Sequence, residues 1–246
     1  MTGAGSTASI EERFAAALTA QEPDGDGGAQ DLPVRLARTA AAVLGTAAAG
    51  ISLLTDEPLR RLPVGASDAE AAMAEQLQFT AGEGPCLAVH RIGHPTFSDD
   101  VDMARRWPGF HDLLRRRTSY TAVASLPLRD RGRGFGALDL YLADDDGLRG
   151  LDTFTAVVTG DLVAQHLTLG AMLRPAGSGQ AGSPWFHGSA APRLVTWQAI
   201  GMLMARHPLD ADEALQVIRR RAVALDTTTD AVGAAVVAGD ADAADL

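Results

Sequence analysis

The sequence predicts an α+β domain followed by a small all-α domain of three helices. Three observations carry this. Helical and strand periodicities interleave from residue 31 to 142, and two strands, Tyr120 to Leu128 and Phe135 to Leu142, alternate across an Arg- and Gly-rich turn, as in an antiparallel sheet flanked by helices. One long helix with an apolar stripe covers 151–173. After a stretch rich in Gly, Pro and Ser, residues Arg193 to Val237 then hold three successive helical patterns and no strand.

Residues 1–30 hold one basic residue, Arg13, among five acidic ones and read as a mobile acidic segment. Within them Ser9 to Glu12 forms a capping box that opens a short helix through Ala20. Leu32, Leu36, Ala40, Val43 and Leu44 recur at helical spacing before a stop at Gly45. A hairpin follows, with strands over Ala49 to Leu54 and Leu59 to Val64. Ser67 to Glu70 is a second capping box, starting a helix to about Phe79 that Gly82 and Gly84 break. A short helix after Pro85, a short strand at Thr96 to Ser98 and a helix from Pro108 to Arg117 lead into the two long strands.

Leu151, Phe154, Val158, Leu162, Leu169 and Met172 form the stripe on the long helix, which packs on the domain or on a partner helix. In the first C-terminal helix Leu194, Trp197, Gly201 and Met204 share one face while Val195, Met202 and Leu203 lie elsewhere, so it has more than one buried contact. Asp210 to Glu213 caps the second, where Leu215, Ile218, Ala222 and Leu225 share a face opposite Arg220. The organisation is then a segment 1–30, a domain 31–173, a linker 174–190, a helical domain 191–238 and an acidic tail 239–246.

Composition narrows the chemistry. Of 246 residues 46% are hydrophobic, enough for a real core. All 21 basic residues are arginine, which excludes a Walker A phosphate loop, a pyridoxal-phosphate Schiff base and a lysine nucleophile. A net charge of −10 speaks against wholesale capture of nucleic acid or of anionic membrane. With no apolar run near the roughly 20 residues of a membrane span and no signal pattern, a soluble, cytoplasmic protein without a membrane partner is expected.

Cofactor, metal and catalytic motifs read as absent. Gly132-Arg133-Gly134-Phe135-Gly136-Ala137 matches a dinucleotide fingerprint but opens a strand where the fingerprint must open a helix. His90 and His94 have the i, i+4 spacing of a metal pair, yet Gly93 and Pro95 end the helix there. Cys86 is the only cysteine, so no disulfide framework or multi-cysteine zinc site arises. It sits in Gly82-Glu83-Gly84-Pro85-Cys86, where a helix N-terminus favours a thiolate, although a small buried residue at a tight turn is the commoner case.

Two segments resemble known families. Trp197-Gln198-Ala199-Ile200-Gly201-Met202-Leu203-Met204-Ala205-Arg206-His207, followed by Leu209 to Leu215 and Ile218-Arg219, resembles the ANTAR domain, the three-helix RNA-binding module of transcription antitermination regulators. Gly82-Glu83-Gly84-Pro85-Cys86, Trp107-Pro108-Gly109-Phe110, Leu126-Pro127-Leu128 and Gly136-Ala137-Leu138-Asp139-Leu140-Tyr141 are similar to the GAF domain that precedes ANTAR in many actinobacterial proteins. The chain departs from the ANTAR pattern at Ile200, at Thr227 to Asp230 and at Gly233, where the family has Ala; Gly there is expected to cost about 0.5–1 kcal/mol.

The resemblance implies a GAF-like antiparallel sheet with flanking helices, then an ANTAR-like bundle. It also implies a signal-responsive antitermination regulator in which a GAF sensor controls a homodimer that binds hairpin loops of nascent RNA. An enzyme is not expected, since thiol reduction of methionine sulfoxide needs a second cysteine. The alternative is a ligand-sensing or dimerising adaptor whose ANTAR-like domain no longer binds RNA. From residue 191 onward five arginines face eight acidic residues, but Arg193 to Arg221 alone is net positive, which suits loop recognition by stacking and base edges. Arg206, Arg219 and Arg220 are the candidate RNA contacts. Phe79, Glu83 and Cys86 are the candidate ligand contacts, in a pocket between the sheet and residues 79–94 for a small molecule of unknown class.

Overall fold

Side-chain alternation along the central strands sets the layers. The computed structural model describes residues 8–21, 32–55, 60–172 and 190–241. The elements are α1 (Ile10–Ala20), α2 (Leu32–Leu44), β1 (Ala48–Thr55), β2 (Arg60–Ala66), α3 (Ala69–Ala81), α4 (Pro85–Ile92), β3 (Thr96–Ser98), α5 (Asp100–Arg106), α6 (Pro108–Arg117), β4 (Ala122–Asp130), β5 (Arg133–Leu142), α7 (Asp145–Gly150) and α8 (Thr153–Met172), followed by α9 (Ala191–Arg206), α10 (Ala211–Ala224) and α11 (Thr229–Ala238).

The five strands form one antiparallel sheet in the order β2-β1-β5-β4-β3. Ala49, Ile51, Leu126, Leu138 and Leu140 point to one face and pack under α2 and α8, with α1 docked on that helix pair. Ala48, Val123 and Tyr141 point to the other, which α3 and α4 cover with α6 packed against α3. Both faces are therefore covered, and the sheet lies in the middle of a three-layer sandwich. Pro63 lies in β2, an edge strand, and Pro127 lies in β4 beyond the end of its short neighbour β3, so neither removes a ladder bond that a partner strand needs. The β4–β5 turn is tighter than expected, since Asp130 pairs with Arg133 across Arg131 and Gly132.

Several caps follow the sequence. Ser9 Oγ accepts the Glu12 amide at 3.1 Å and the Glu12 carboxylate accepts the Ser9 amide at 2.9 Å, the expected box. The helix it opens is docked: Phe14 is buried and its ring lies 5.4 Å from that of His166 in α8. The short helix expected within 1–30 is thus present, and its apolar face is buried against α2 and α8. The second cap falls one residue later than predicted. Asp68 Oδ1 accepts the Ala71 amide at 2.8 Å, because Ser67 Oγ is engaged by the Ala49 amide at 3.0 Å, at the β1 end of the sheet. Helices α5 and α7, which periodicity did not reveal, are single short runs opened by Asp99 and Asp144. The expected linker apart from Ala190, residues 1–7 and 22–31, the turn at 56–59 and the tail beyond Ala241 lie outside the described residues.

The buried faces of three helices are rotated from the predicted ones. On α8, Ala156, Val163, Ala164 and Leu167 enter the core, while Phe154 remains 70% and Leu169 47% exposed. Small residues face the sheet there because α8 lies close over β4, with Leu126 side-chain atoms 3.5 Å from where a Gly160 Cβ would sit. In the C-terminal bundle Ala214, Ile218 and Ala222 are buried while Leu225 is exposed, and on α9 the buried positions are Arg193, Thr196, Ala199 and Leu203.

Helix α9 packs chiefly on α11. At their crossing a Cβ on Gly233 would lie 2.9 Å from Thr196 Cα and 3.0 Å from its Oγ1. The glycine that looked costly by helix propensity is what permits this approach. We expect Gly233→Ala to destabilise the bundle by about 1–2 kcal/mol, overpacking outweighing the helix gain. Urea denaturation followed by circular dichroism measures this; a stabilised variant would contradict the tight crossing.

Candidate functional site

Between the sheet and helices α3 and α4 lies a polar cluster with almost no solvent access. Arg61, Glu75, Gln78, Asp139, Tyr141, Ser52, Ser125 and Cys86 are each at most 1% exposed. Burial on that scale requires that every polar atom find a partner. Arg61 donates to the carboxylate and the backbone carbonyl of Glu75, and through Nε to Cys86 Sγ at 3.0 Å. The other Glu75 oxygen accepts Tyr141 Oη at 2.6 Å, and Ser52 Oγ adds a bond of 2.5 Å. Asp139 accepts Ser125 Oγ and Gln78 Nε2, the latter at 2.6 Å, and lies 3.8 Å from Arg61. Gln78 Oε1 closes the set by accepting the Cys86 amide at 3.0 Å. Gly50 makes room for it, because a Cβ there would collide with the Glu75 carboxyl.

Desolvation sets the charge states. Burial, reinforced by the charge of Glu75, pushes the Asp139 carboxyl up to about 8, against the opposing effects of Arg61, Ser125 and Gln78. Burial pulls Arg61 downward, but the neighbouring Cys86, Glu75 and Asp139 more than reverse this, and it stays charged. Burial also raises the Cys86 thiol and outweighs the pull of Arg61. A helix N-terminus alone suggested a thiolate at Cys86; a buried, protonated thiol stands there instead.

The three candidate ligand residues all touch protein. Cys86 belongs to the cluster. Glu83 Oε1 accepts the amides of Gly109 at 2.7 Å and Phe110 at 3.3 Å, so it caps the start of α6, where Trp107 supplies no side-chain cap. This contact joins two motifs 26 residues apart in sequence. Phe79, at the end of α3, carries the Arg193 guanidinium 3.4 Å above its ring centroid and that of Arg219 at 5.1 Å. Each of the three is therefore engaged by other groups of the chain.

The arginines divide. Arg193 is fully buried, pairing with Asp230 at 2.8 and 3.1 Å and donating to the Arg61 carbonyl at 3.1 Å. Thr196 Oγ1 donates to the same Asp230 at 2.5 Å. Arg219 donates through Nε to the Phe79 carbonyl at 3.0 Å, and burial together with the nearby Arg193 charge brings its pKa down to about 10. Arg206 and Arg220 are exposed. Arg219 and Arg220 line an open groove of about 440 Å³ between α3, α6 and α10, facing Arg116 and Asp112; Arg206 is not among its lining residues. The sequence singled out neither Arg61 nor the Arg193–Asp230 pair; a buried arginine carries no periodic signal that distinguishes it from a surface one.

This sheet order, with a helix pair on one face and the α3–α6 layer on the other, agrees with a family model that spans more than half the sequence, the GAF domain over residues 30–168. The chain belongs to the GAF domain family. A second family model, the ANTAR domain, matches residues 190–237, the three-helix bundle. Among solved structures, the GAF domain of a phosphoenolpyruvate-protein phosphotransferase from Coxiella burnetii is 11% identical with a TM-score of 0.46, covering 65% of this chain and 91% of that one. The A. aeolicus nlh2 GAF domain in an inactive state is 17% identical with a TM-score of 0.43, covering 65% and 93%. The curated proteins give no match. Among the described residues no helix is long and apolar enough to cross a membrane.

The protonated Asp139 of the GAF domain gives a pH signature. Its folded pKa of about 8 exceeds its ordinary value of 3.8, so the folded protein holds a proton that the unfolded chain releases between those values. Stability from this group is complete below about pH 4 and declines as pH rises to about 8. Asp139→Asn removes that slope. In paired urea titrations the stability of the wild type relative to Asp139→Asn is expected to fall by at least about 1 kcal/mol between pH 5 and pH 8; a constant difference would place the proton elsewhere.

Proposed function

We propose that this protein is a signal-responsive regulator that binds RNA. In this reading the GAF domain senses a small molecule and the ANTAR domain binds hairpin loops in nascent transcripts to prevent termination. A GAF sensor joined to an ANTAR module is the build of a regulator, and that pairing, in that order, is the observation that carries the reading. The roles proposed are non-enzymatic, which fits two regulatory domain families and a cysteine whose thiol burial holds in its protonated form. The setting proposed for it is the cytoplasm.

The RNA contacts proposed are Arg206, Arg219 and Arg220. Guanidinium groups pair with phosphate and stack on unpaired bases, which suits loops better than duplex. Arg206 and Arg220 stand exposed on the bundle, and Arg220 has no ion pair among the described residues. With Arg206→Ala and Arg220→Ala together, the fold is expected to hold, since exposed changes shift stability by no more than about 0.5 kcal/mol. Affinity for RNA stem-loops drops roughly tenfold and its salt dependence flattens. Filter binding across a salt series, with circular dichroism as the folding control, measures both. Unchanged affinity and slope would move the RNA surface elsewhere, and no binding by the wild type would favour the adaptor.

A homodimer is part of the same proposal. Phe154, Val157 and Leu169 leave an apolar strip on α8 that the described core does not cover, and Met204 on α9 is also exposed. Replacing Phe154 and Leu169 with Glu is expected to convert dimer to monomer in light scattering, since burying two carboxylates in a helix seam is prohibitive. A persistent dimer would exclude α8 as the seam.

A further inference from the structure

Resting on the RNA reading above, we infer that the end of α3 is a docking seat for the ANTAR bundle that competes with RNA for Arg219. Phe79 and Thr80 form the seat. The Phe79 ring lies under both Arg193 and Arg219, and its carbonyl accepts Arg219 Nε. Thr80 Oγ1 accepts the Thr229 amide at 3.1 Å, at the first turn of α11. From β2 the Arg61 carbonyl accepts Arg193 at 3.1 Å, and from α6 Arg117 donates to the Asp226 carbonyl at 2.6 Å. Three elements of the GAF domain, α3, β2 and α6, thus hold residues of all three ANTAR helices and the turn between α10 and α11.

The seat uses up the chemistry that Arg219 would offer RNA. A guanidinium stacked on Phe79 with its Nε committed to a carbonyl cannot stack on a base. Arg220, one residue on, faces the open groove beside it, so RNA approaching Arg220 meets the docked GAF surface at Thr80, Ala81 and Gly109. The seat is also wired to the sensor core. Arg61 holds Glu75, Cys86 and Asp139 with its side chain and Arg193 with its carbonyl, so a ligand that displaces the Arg61 side chain shifts the strand on which Arg193 rests. The described arrangement is therefore the RNA-silent one, and signalling acts by releasing the bundle.

The test uses full-length protein and two substitutions on the GAF side, neither at a proposed RNA contact. Phe79→Ala removes the ring; Thr80→Val keeps the shape and removes only the hydroxyl. Circular dichroism melts confirm folding, and if Phe79→Ala fails to fold, Thr80→Val carries the test alone. Small-angle X-ray scattering reads release of the bundle without RNA, and filter binding to a pool of RNA stem-loops with randomised loops reads competition. The expected result is a larger radius of gyration and RNA affinity raised about tenfold in the variants. A larger radius with affinity unchanged or lowered overturns the competition while leaving RNA binding itself intact. An unchanged radius in the folded variants overturns the seat, whatever the affinity does. If neither wild type nor a released variant retains RNA, the RNA reading fails and takes this inference with it.

Discussion

The structure turns on one buried arginine. Arg61 sits in an edge strand, yet its guanidinium reaches α3 through Glu75, α4 through Cys86 and the centre of the sheet through Asp139. A cation enclosed this fully is sustained only by partners that neutralise and hydrogen-bond it on all sides; removing its charged partner Glu75 leaves a buried charge uncompensated, typically at a cost of about 3–5 kcal/mol. The two carboxylates cannot both be charged beside it in so little space, and the proton held by Asp139 resolves that conflict. Charge balance, rather than apolar burial alone, fixes how the helical layer sits on this face of the sheet.

The opposite face is held differently. There α2 and α8 meet the sheet and α1 docks on that pair, through Phe14, Leu36, Ile51, Leu138 and Val163, with no buried ion pair among those contacts. Such packing is tolerant of small volume changes, whereas a satisfied polar network specifies one arrangement and responds sharply when one member changes. The GAF domain therefore has an apolar side and an electrostatically poised side, and Arg193 and Arg219 of the ANTAR bundle rest on the poised one. Arg193 is the joint: its Asp230 partner belongs to the bundle, its carbonyl acceptor to the hub strand. The same helix also meets the apolar side, where Ala190 and Trp197 pack against the core cluster. An α9 with apolar residues nearly all round is accounted for by these separate contacts.

The sequence by itself determined the order of the elements apart from the short helices α5 and α7, the antiparallel sheet, the Ser9 and Asp210 caps, the three C-terminal helices and the two family resemblances. Each of these rests on local chemistry: periodicity, a capping side chain, or a motif of adjacent residues. It also excluded lysine-dependent chemistry by composition alone. Tertiary structure decided which face of each helix is buried, because a stripe of similar apolar residues spans more than one face and the neighbour's shape chooses; close approach selected Ala156 and Gly160 on α8 over Phe154, and Gly233 on α11 over alanine. It also decided the roles of the site residues. Glu83 caps a helix 26 residues away, Phe79 seats two arginines from the far end of the chain, and Arg219 and Arg220, neighbours in sequence, face protein and solvent. None of this was legible beforehand, since arginine has the same local propensities whether it ends in water, on an aromatic ring or between two carboxylates; only the long-range contacts that desolvate it distinguish these fates.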